Sequence, residues 1–320
     1  MNAYKYQYKS SQENKMKQKT LLQILLQNAP IQSFILVASI LLSPSLFAEQ
    51  SLLSRTVKAQ SNPTIIVKNL NYKTIFMQFH QKDIRYLKMN NVSMDEAVGL
   101  KGTEGNVDYA VFNPVQSYQN LQGEKRFIVR LEIFGQDNGE INTGHPARPK
   151  VELYLFKRLS NGQYQLLSRS RPDLDISGSW GDSHLQAEDF QKIHRVGKDQ
   201  MGLIYSGGYT STGSHSEFSS LIVLNEQGWI EEYPFGISEN NSGAYENDDP
   251  KLAGFSKEYQ LKADSTAPSL YPIQVTYSSY GNMDWRDHFP KNGSTELLKF
   301  NDKKNCYIDQ KGKCNTYFDD

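Results

Sequence analysis

The sequence predicts a mainly β protein, an antiparallel sandwich or layered sheet with long polar loops and one or two short helices. Three observations carry that reading: from Thr64 onward apolar residues recur mostly with a period of two, glycine-bearing turn signals separate the alternating runs, and helical signals are few.

The elements follow in chain order. Phe127, Val129, Leu131 and Ile133 alternate with Arg126, Ile128, Arg130 and Glu132, the pattern of a strand with one buried face. Asp137-Asn138-Gly139 then supplies a turn. Val151, Leu153 and Leu155 alternate with Lys150, Glu152 and Tyr154. Asn161-Gly162 follows, a pair in which both residues tolerate positive φ, and 163–167 is the return strand of a hairpin. Residues 219–224 and 229–233 form a second pair around Asn225-Glu226-Gln227-Gly228. Residues 271–279 form another strand, with Pro272 near its start, where a missing donor is tolerated. Ser183-His184-Leu185-Gln186 fits a capping box and predicts a short helix to about His194. Residues 82–90 and 93–99 each have room for a helical turn or two. Polar stretches at 136–149, 206–217 and 236–256 read as interruptions of the strands, the last as a long loop. No repeat of fixed period is strong enough for a propeller or solenoid.

The N-terminus reads differently. Residues 34–47 are an apolar run ending at Ala48, and Lys5, Lys9, Lys15, Lys17 and Lys19 precede it with only Glu13 opposing. A basic segment, a short apolar core and a small residue before a polar start predict a secretory signal peptide over 1–48. Leu46, two before Ala48, departs from the small residue expected there. The apolar run falls short of the ~20 residues that cross a bilayer, and Asn28 and Pro30 interrupt it upstream. Residues 49–62 then form a flexible mature N-terminus, and 63–320 a mainly β domain.

Cleavage changes the charge arithmetic. The full chain has 35 Lys and Arg against 35 Asp and Glu. Losing five Lys and one Glu leaves 30 basic and 34 acidic residues, a net charge near −4. A mildly acidic chain with scattered lysines excludes a basic nucleic-acid binder, and no second apolar run offers a membrane span. The expected location is periplasmic or secreted. Cys306 and Cys314 fit an oxidising compartment: they flank a strand–turn–strand segment with Gly312 in the turn, and a disulfide there would staple a C-terminal hairpin near 300–320.

Candidate sites are few. Asp173, Asp175 and Ser177 with Gly178 match the opening of a calcium loop, in which alternate oxygen-bearing residues converge on a hard cation. The match stops at His184, in the twelfth position, where such a loop needs a bidentate Glu. The expectation is therefore no cofactor, with calcium at these residues as the alternative. Asp182, His184, Glu188 and His194 suggest a transition-metal site, yet at helical spacing the two histidines do not share a face. Ser214, His215 and Glu217 are sequence neighbours, whereas members of a catalytic triad meet across a fold. Tyr277, Tyr280, Trp285 and Arg286 gather aromatic rings and a guanidinium, the residue types of a sugar- or protein-binding surface.

Together these readings predict an exported, non-enzymatic binding protein of the cell envelope or extracellular space, with an envelope or extracellular protein or a glycan as partner. The competing reading is a metal-assisted hydrolase of an envelope or extracellular polymer, centred on 173–194.

Overall fold

In the computed structural model, residues 64–87, 97–102, 105–137, 139–172, 174, 176, 178–246, 248–267, 269–281 and 289–315 are described. The leader and the calcium candidates Asp173, Asp175 and Ser177 lie outside them, as do Trp285 and Arg286. The described residues belong to one compact unit, Ser61–Asp320.

The protein is mainly β, built on one large, mostly antiparallel sheet of sixteen strands, with a single α-helix among the described residues. The N-terminal half opens with β1 (Ile66–Val67), helix α1 (Tyr72–His80), β2 (Ile84–Arg85), β3 (Ala97–Lys101), β4 (Val107–Phe112), β5 (Gln116–Gln119) and β6 (Lys125–Phe134). After the small ribbon β7 (Gln136–Asp137) and β8 (Glu140–Ile141) come β9 (Lys150–Arg158) and β10 (Tyr164–Ser170). The strands run β2-β3-β4-β6-β9-β10 across the sheet, with β5 beside the first half of β6. A second ribbon, β11 (Gly178–Ser179) with β12 (Asp182–Ser183), and a single 3-10 turn (Asp189–Lys192) lead to the C-terminal half. That half is β13 (His194–Arg195), β14 (Met201–Ser211), β15 (Ser214–Val223), β16 (Trp229–Asn240), β17 (Ala253–Leu261), β18 (Ile273–Gly281), β19 (Thr295–Asn301) and β20 (Cys306–Ile308), each pairing with the next. The halves join along a parallel seam between β10 and β16, where Arg169 pairs with Trp229 and Ser170 with Ile230.

Three apolar clusters explain why these strands hold. Ile128 of β6 and Val151, Leu153 and Leu155 of β9 pack against Leu203, Tyr205 and Ile222 of β14 and β15, with Leu185 and Phe190 between them. On the other face of the N-terminal half, Val129, Leu131, Tyr154 and Phe156 are covered by Ile75, Phe76 and Phe79 of α1. Leu221, Phe235, Ile273, Val275, Leu298 and Tyr307 fill the third cluster, under the C-terminal half.

Several local expectations change in this context. Strand β6 is buried on both faces: Arg126, Arg130 and Glu132 are as enclosed as their apolar neighbours, because partners from distant segments supply the hydrogen bonds that buried charges require. Helix α1 lies outside the stretches in which the sequence predicts helix. Asn71 caps it, its Oδ1 accepting from Thr74 N at 2.9 Å, and Ile75, Phe76 and Phe79 form one face. The stretch from Ser183 forms only the 3-10 turn, since Gln186 N donates to Asp189 Oδ2 at 3.0 Å and Leu185 is drawn into the core. Of 82–90 and 93–99, the described parts contain β2 and the start of β3. The polar stretch 206–217 is regular hairpin, with ten consecutive pairs from Gly202–Val223 to Ser211–Ser214. Residues 236–240 and 253–256 likewise extend β16 and β17, because a ladder needs paired backbone and not apolar side chains.

Cys306 and Cys314 are disulfide-bonded, with Cα atoms 5.7 Å apart. The hairpin between them turns at Gly312, which has φ +77°, and Asp309 Oδ1 accepts from Lys311 N and Lys313 N at 2.9 and 2.8 Å. No helix among the described residues is long and apolar enough to cross a membrane.

Candidate functional site

The β11–β12 ribbon draws attention because of its backbone. Its turn residues, Trp180 and Gly181, have φ of 56° and 75°, a two-residue turn of the primed type. Asn, Asp and Gly usually occupy such a turn; a bulky L-residue in left-handed geometry costs roughly 1–2 kcal/mol. Gly181 is required, because a Cβ there would stand 2.9 Å from Asn142 O. Trp180 is not required by packing: its side chain is 60 % exposed.

The ribbon is held rigidly. Trp180 N donates to His145 O at 3.2 Å and Gly181 N to Ala147 O at 2.9 Å. The indole lies beside the His145 ring, centroids 4.7 Å apart, and His145 Nε2 is buried without a hydrogen-bond partner. Gly178 leaves no room for a side chain, since a Cβ would meet Asp182 O at 2.2 Å and Arg148 Cβ at 2.9 Å. That close approach accounts for the glycine that resembled a calcium-loop turn.

Below the tip, two stretches that are separate in sequence come together. The His184 ring packs onto Gly207 of β14, where a Cβ would fall 2.3 Å from Nδ1. Gly207 and Gly208 therefore mark close approaches in a regular ladder, with no bulge between them. Burial lowers the His184 pKa; Asp182 opposes the drop and His215 adds to it. Ser179 Oγ is 3.2 Å from His184 Nε2, within reach of a nucleophile–base pair. The adjacent N–H groups of Trp180 and Gly181 already serve His145 and Ala147, so neither is free to bind a developing oxyanion. Ser214, His215 and Glu217 lie along β15, and His215 Nδ1 bonds Thr210 Oγ1 of the facing strand at 3.0 Å. Among the described residues no three His, Cys, Asp or Glu side chains gather to hold a metal, and Asp182, His184, Glu188 and His194 do not converge.

The predicted aromatic surface is divided. Tyr277 and Tyr280 are three apart on β18, so alternation sends them to opposite faces. Tyr277 packs on Phe255, centroids 6.1 Å apart; burial, with Glu296 nearby, pushes its phenol up to about 12. Tyr280 is 44 % exposed, and its ring lies across Gly254, where a Cβ would fall 2.6 Å from the hydroxyl. Trp180 carried no sequence signal as an anchor beyond its place before a glycine. Its positive φ, shared with Thr212 and Asn305, is visible only in the folded chain.

Neither known protein families, nor curated proteins, nor solved structures contain a match to this chain.

Proposed function

We propose that this is an exported, non-enzymatic binding protein of the cell envelope or extracellular space that holds a protein or glycan partner through Trp180. One observation supports the reading above the others: an exposed indole is kept on a rigid two-residue turn in a backbone conformation unfavourable to it. Strain that packing does not explain points to a role in recognition, and rigid aromatic side chains give large contact area at low entropic cost. Tyr280 is a second exposed anchor, with Trp285 and Arg286 following it in sequence.

The test is affinity capture from envelope and culture-medium fractions using residues 49–320, comparing wild type with Trp180→Asn. Asparagine suits left-handed φ, so the variant should fold with equal or higher Tm, a gain of up to ~1 kcal/mol. It should lose the partner that the wild type retains. Equal capture by both proteins removes Trp180 from recognition. Tyr280→Ala tests the second anchor and should weaken capture less. A stoichiometric metal whose chelation abolishes hydrolysis of an envelope polymer would overturn the binding-protein reading in favour of an enzyme.

A further inference from the structure

A concave pocket of about 390 Å³ opens between the two halves of the sheet, away from Trp180 in the sequence and built from three other segments. The β5–β6 hairpin forms one wall, the turn leading into β14 a second, and the β15–β16 loop a third. Its size falls in the range of small-molecule sites, roughly 300–1,000 Å³.

The walls are pre-formed. Asn120 Nδ2 donates to Glu124 Oε2 and Glu226 Oε1 at 3.1 and 2.9 Å, and its Oδ1 accepts from the N–H groups of Gln122 and Glu124. Arg126 grips Glu226 with two bonds of 2.8 Å from Nε and Nη2. The β15–β16 loop is fixed by Ser168 Oγ, which donates to Asn225 O, and by Asn225 Nδ2, which donates to Trp229 O at 2.8 Å. These bonds join residues as many as 106 positions apart, so the pocket exists only in the folded chain.

The lining chemistry narrows the ligand. It contains no Lys, Arg or His, so an anion finds no counter-charge. Glu226 is already neutralised by Arg126 behind it, which removes much of the demand for a cation. Gln122 and Gln227 offer amides that both donate and accept, Asp199 accepts, and Met201 and Leu224 provide apolar surface. Paired amide and carboxylate groups beside apolar surface suit a neutral molecule with many hydroxyls and a CH face. Tyr118, also in the lining, has a hydroxyl that is buried without a hydrogen-bond partner. Burial, with Glu226 nearby, raises its pKa, so it remains a protonated donor at neutral pH. Leaving a buried hydroxyl without a partner is unfavourable, and phenylalanine would remove that penalty.

We infer that this seam pocket is a saccharide-binding site in which Tyr118 hydrogen-bonds a sugar hydroxyl.

The inference stands apart from Trp180 and is tested apart from it. Residues 49–320 are titrated calorimetrically with glucose, N-acetylglucosamine, maltose and chitobiose, with inorganic phosphate and spermidine as charged controls. At least one sugar should bind, and neither charged control should. Tyr118→Phe should weaken that sugar about tenfold, the loss of one hydrogen bond, without lowering Tm. Gln227→Ala, on the exposed loop, should also weaken it and serves if Tyr118→Phe fails to fold. Absence of sugar binding, unchanged binding in both pocket variants, or preference for phosphate or spermidine would overturn the assignment. Loss of sugar binding in Trp180→Asn would place the sugar at the other site.

Discussion

Strand β6 in the N-terminal half and strand β17 in the C-terminal half both carry cations into the interior, under different terms. Arg126 is held by Glu226 and by Glu124, the latter at 2.6 Å. Arg130 donates to Leu185 O and to Asn113 Oδ1 at 3.0 Å, lies 3.6 Å from Glu132, and covers the Phe190 ring. Nearby, Glu152 meets His80 Nε2 at 2.9 Å, Lys150 Nζ at 2.8 Å and Tyr154 Oη at 2.6 Å. In the C-terminal half Lys257, only 2 % exposed, reaches Glu217 O at 3.1 Å, Ser238 Oγ at 3.5 Å and Glu217 Oε1 at 3.6 Å. The difference lies in side-chain geometry. A guanidinium presents several donors in a fixed fork and can satisfy many acceptors at once, whereas an ammonium is a compact point charge whose pKa yields when it is buried. The N-terminal half therefore ties its charges into closed networks, while the C-terminal half bears a desolvation cost on one lysine.

Breaking the N-terminal network should give the largest effect. Glu152→Gln leaves His80, Lys150 and Tyr154 facing a neutral amide and should cost about 3–5 kcal/mol in urea unfolding, the range for removing one partner of a buried ion pair. Burial alone would raise the Glu152 carboxyl; His80, followed by Lys150 and Tyr154, outweighs it and holds the group at about 2. A carboxyl whose folded pKa is depressed stabilises the fold above its unfolded value of 4.5, and that stability disappears as pH falls from 4.5 towards 2. Wild type should lose about 3 kcal/mol across this window through this group. Glu152→Gln should lose correspondingly less.

Lys257 gives the opposite sign. Burial lowers its ammonium to about 8 against the pull of Glu217. Between that value and the reference 10.5 the unfolded chain binds more protons than the folded one, so stability should rise with pH. Relative to Lys257→Met, the gain should be about 2 kcal/mol, measured by urea unfolding between about pH 8 and pH 10. Lys257→Met should show no rise over the same range, and the raised phenols of Tyr118 and Tyr277 should make its curve fall towards pH 10. A Lys257→Met curve that still rises would place the titration elsewhere.

The smallest effect belongs to the staple at the end of the C-terminal half. Reducing Cys306–Cys314 opens a loop of eight residues' separation and should lower stability by about 2 kcal/mol. Thiol labelling should add two labels only after reduction. Labelling of the unreduced folded protein would contradict the bond.

What the chain determines by itself is what a few neighbouring residues can encode. The alternation of β9, the Asn161-Gly162 turn, the Asp309–Gly312 turn and the pairing of two nearby cysteines all depend on contacts within about ten positions, where little loop entropy opposes closure. Even there context intervenes: Gly162 has φ +85°, while Asn161 is not among the residues with positive φ. Local pattern also concealed α1, whose nine residues are too few to stand as a helix in water without the sheet beneath them. Only the tertiary structure could decide that both faces of β6 are buried, because Arg126 meets Glu226 and Arg130 meets Leu185 across 100 and 55 positions. The same holds for the strained Trp180 and the seam pocket. Charge and polarity can be read from sequence, but whether a polar group is solvated, paired or left waiting for a ligand depends on which distant segments close around it.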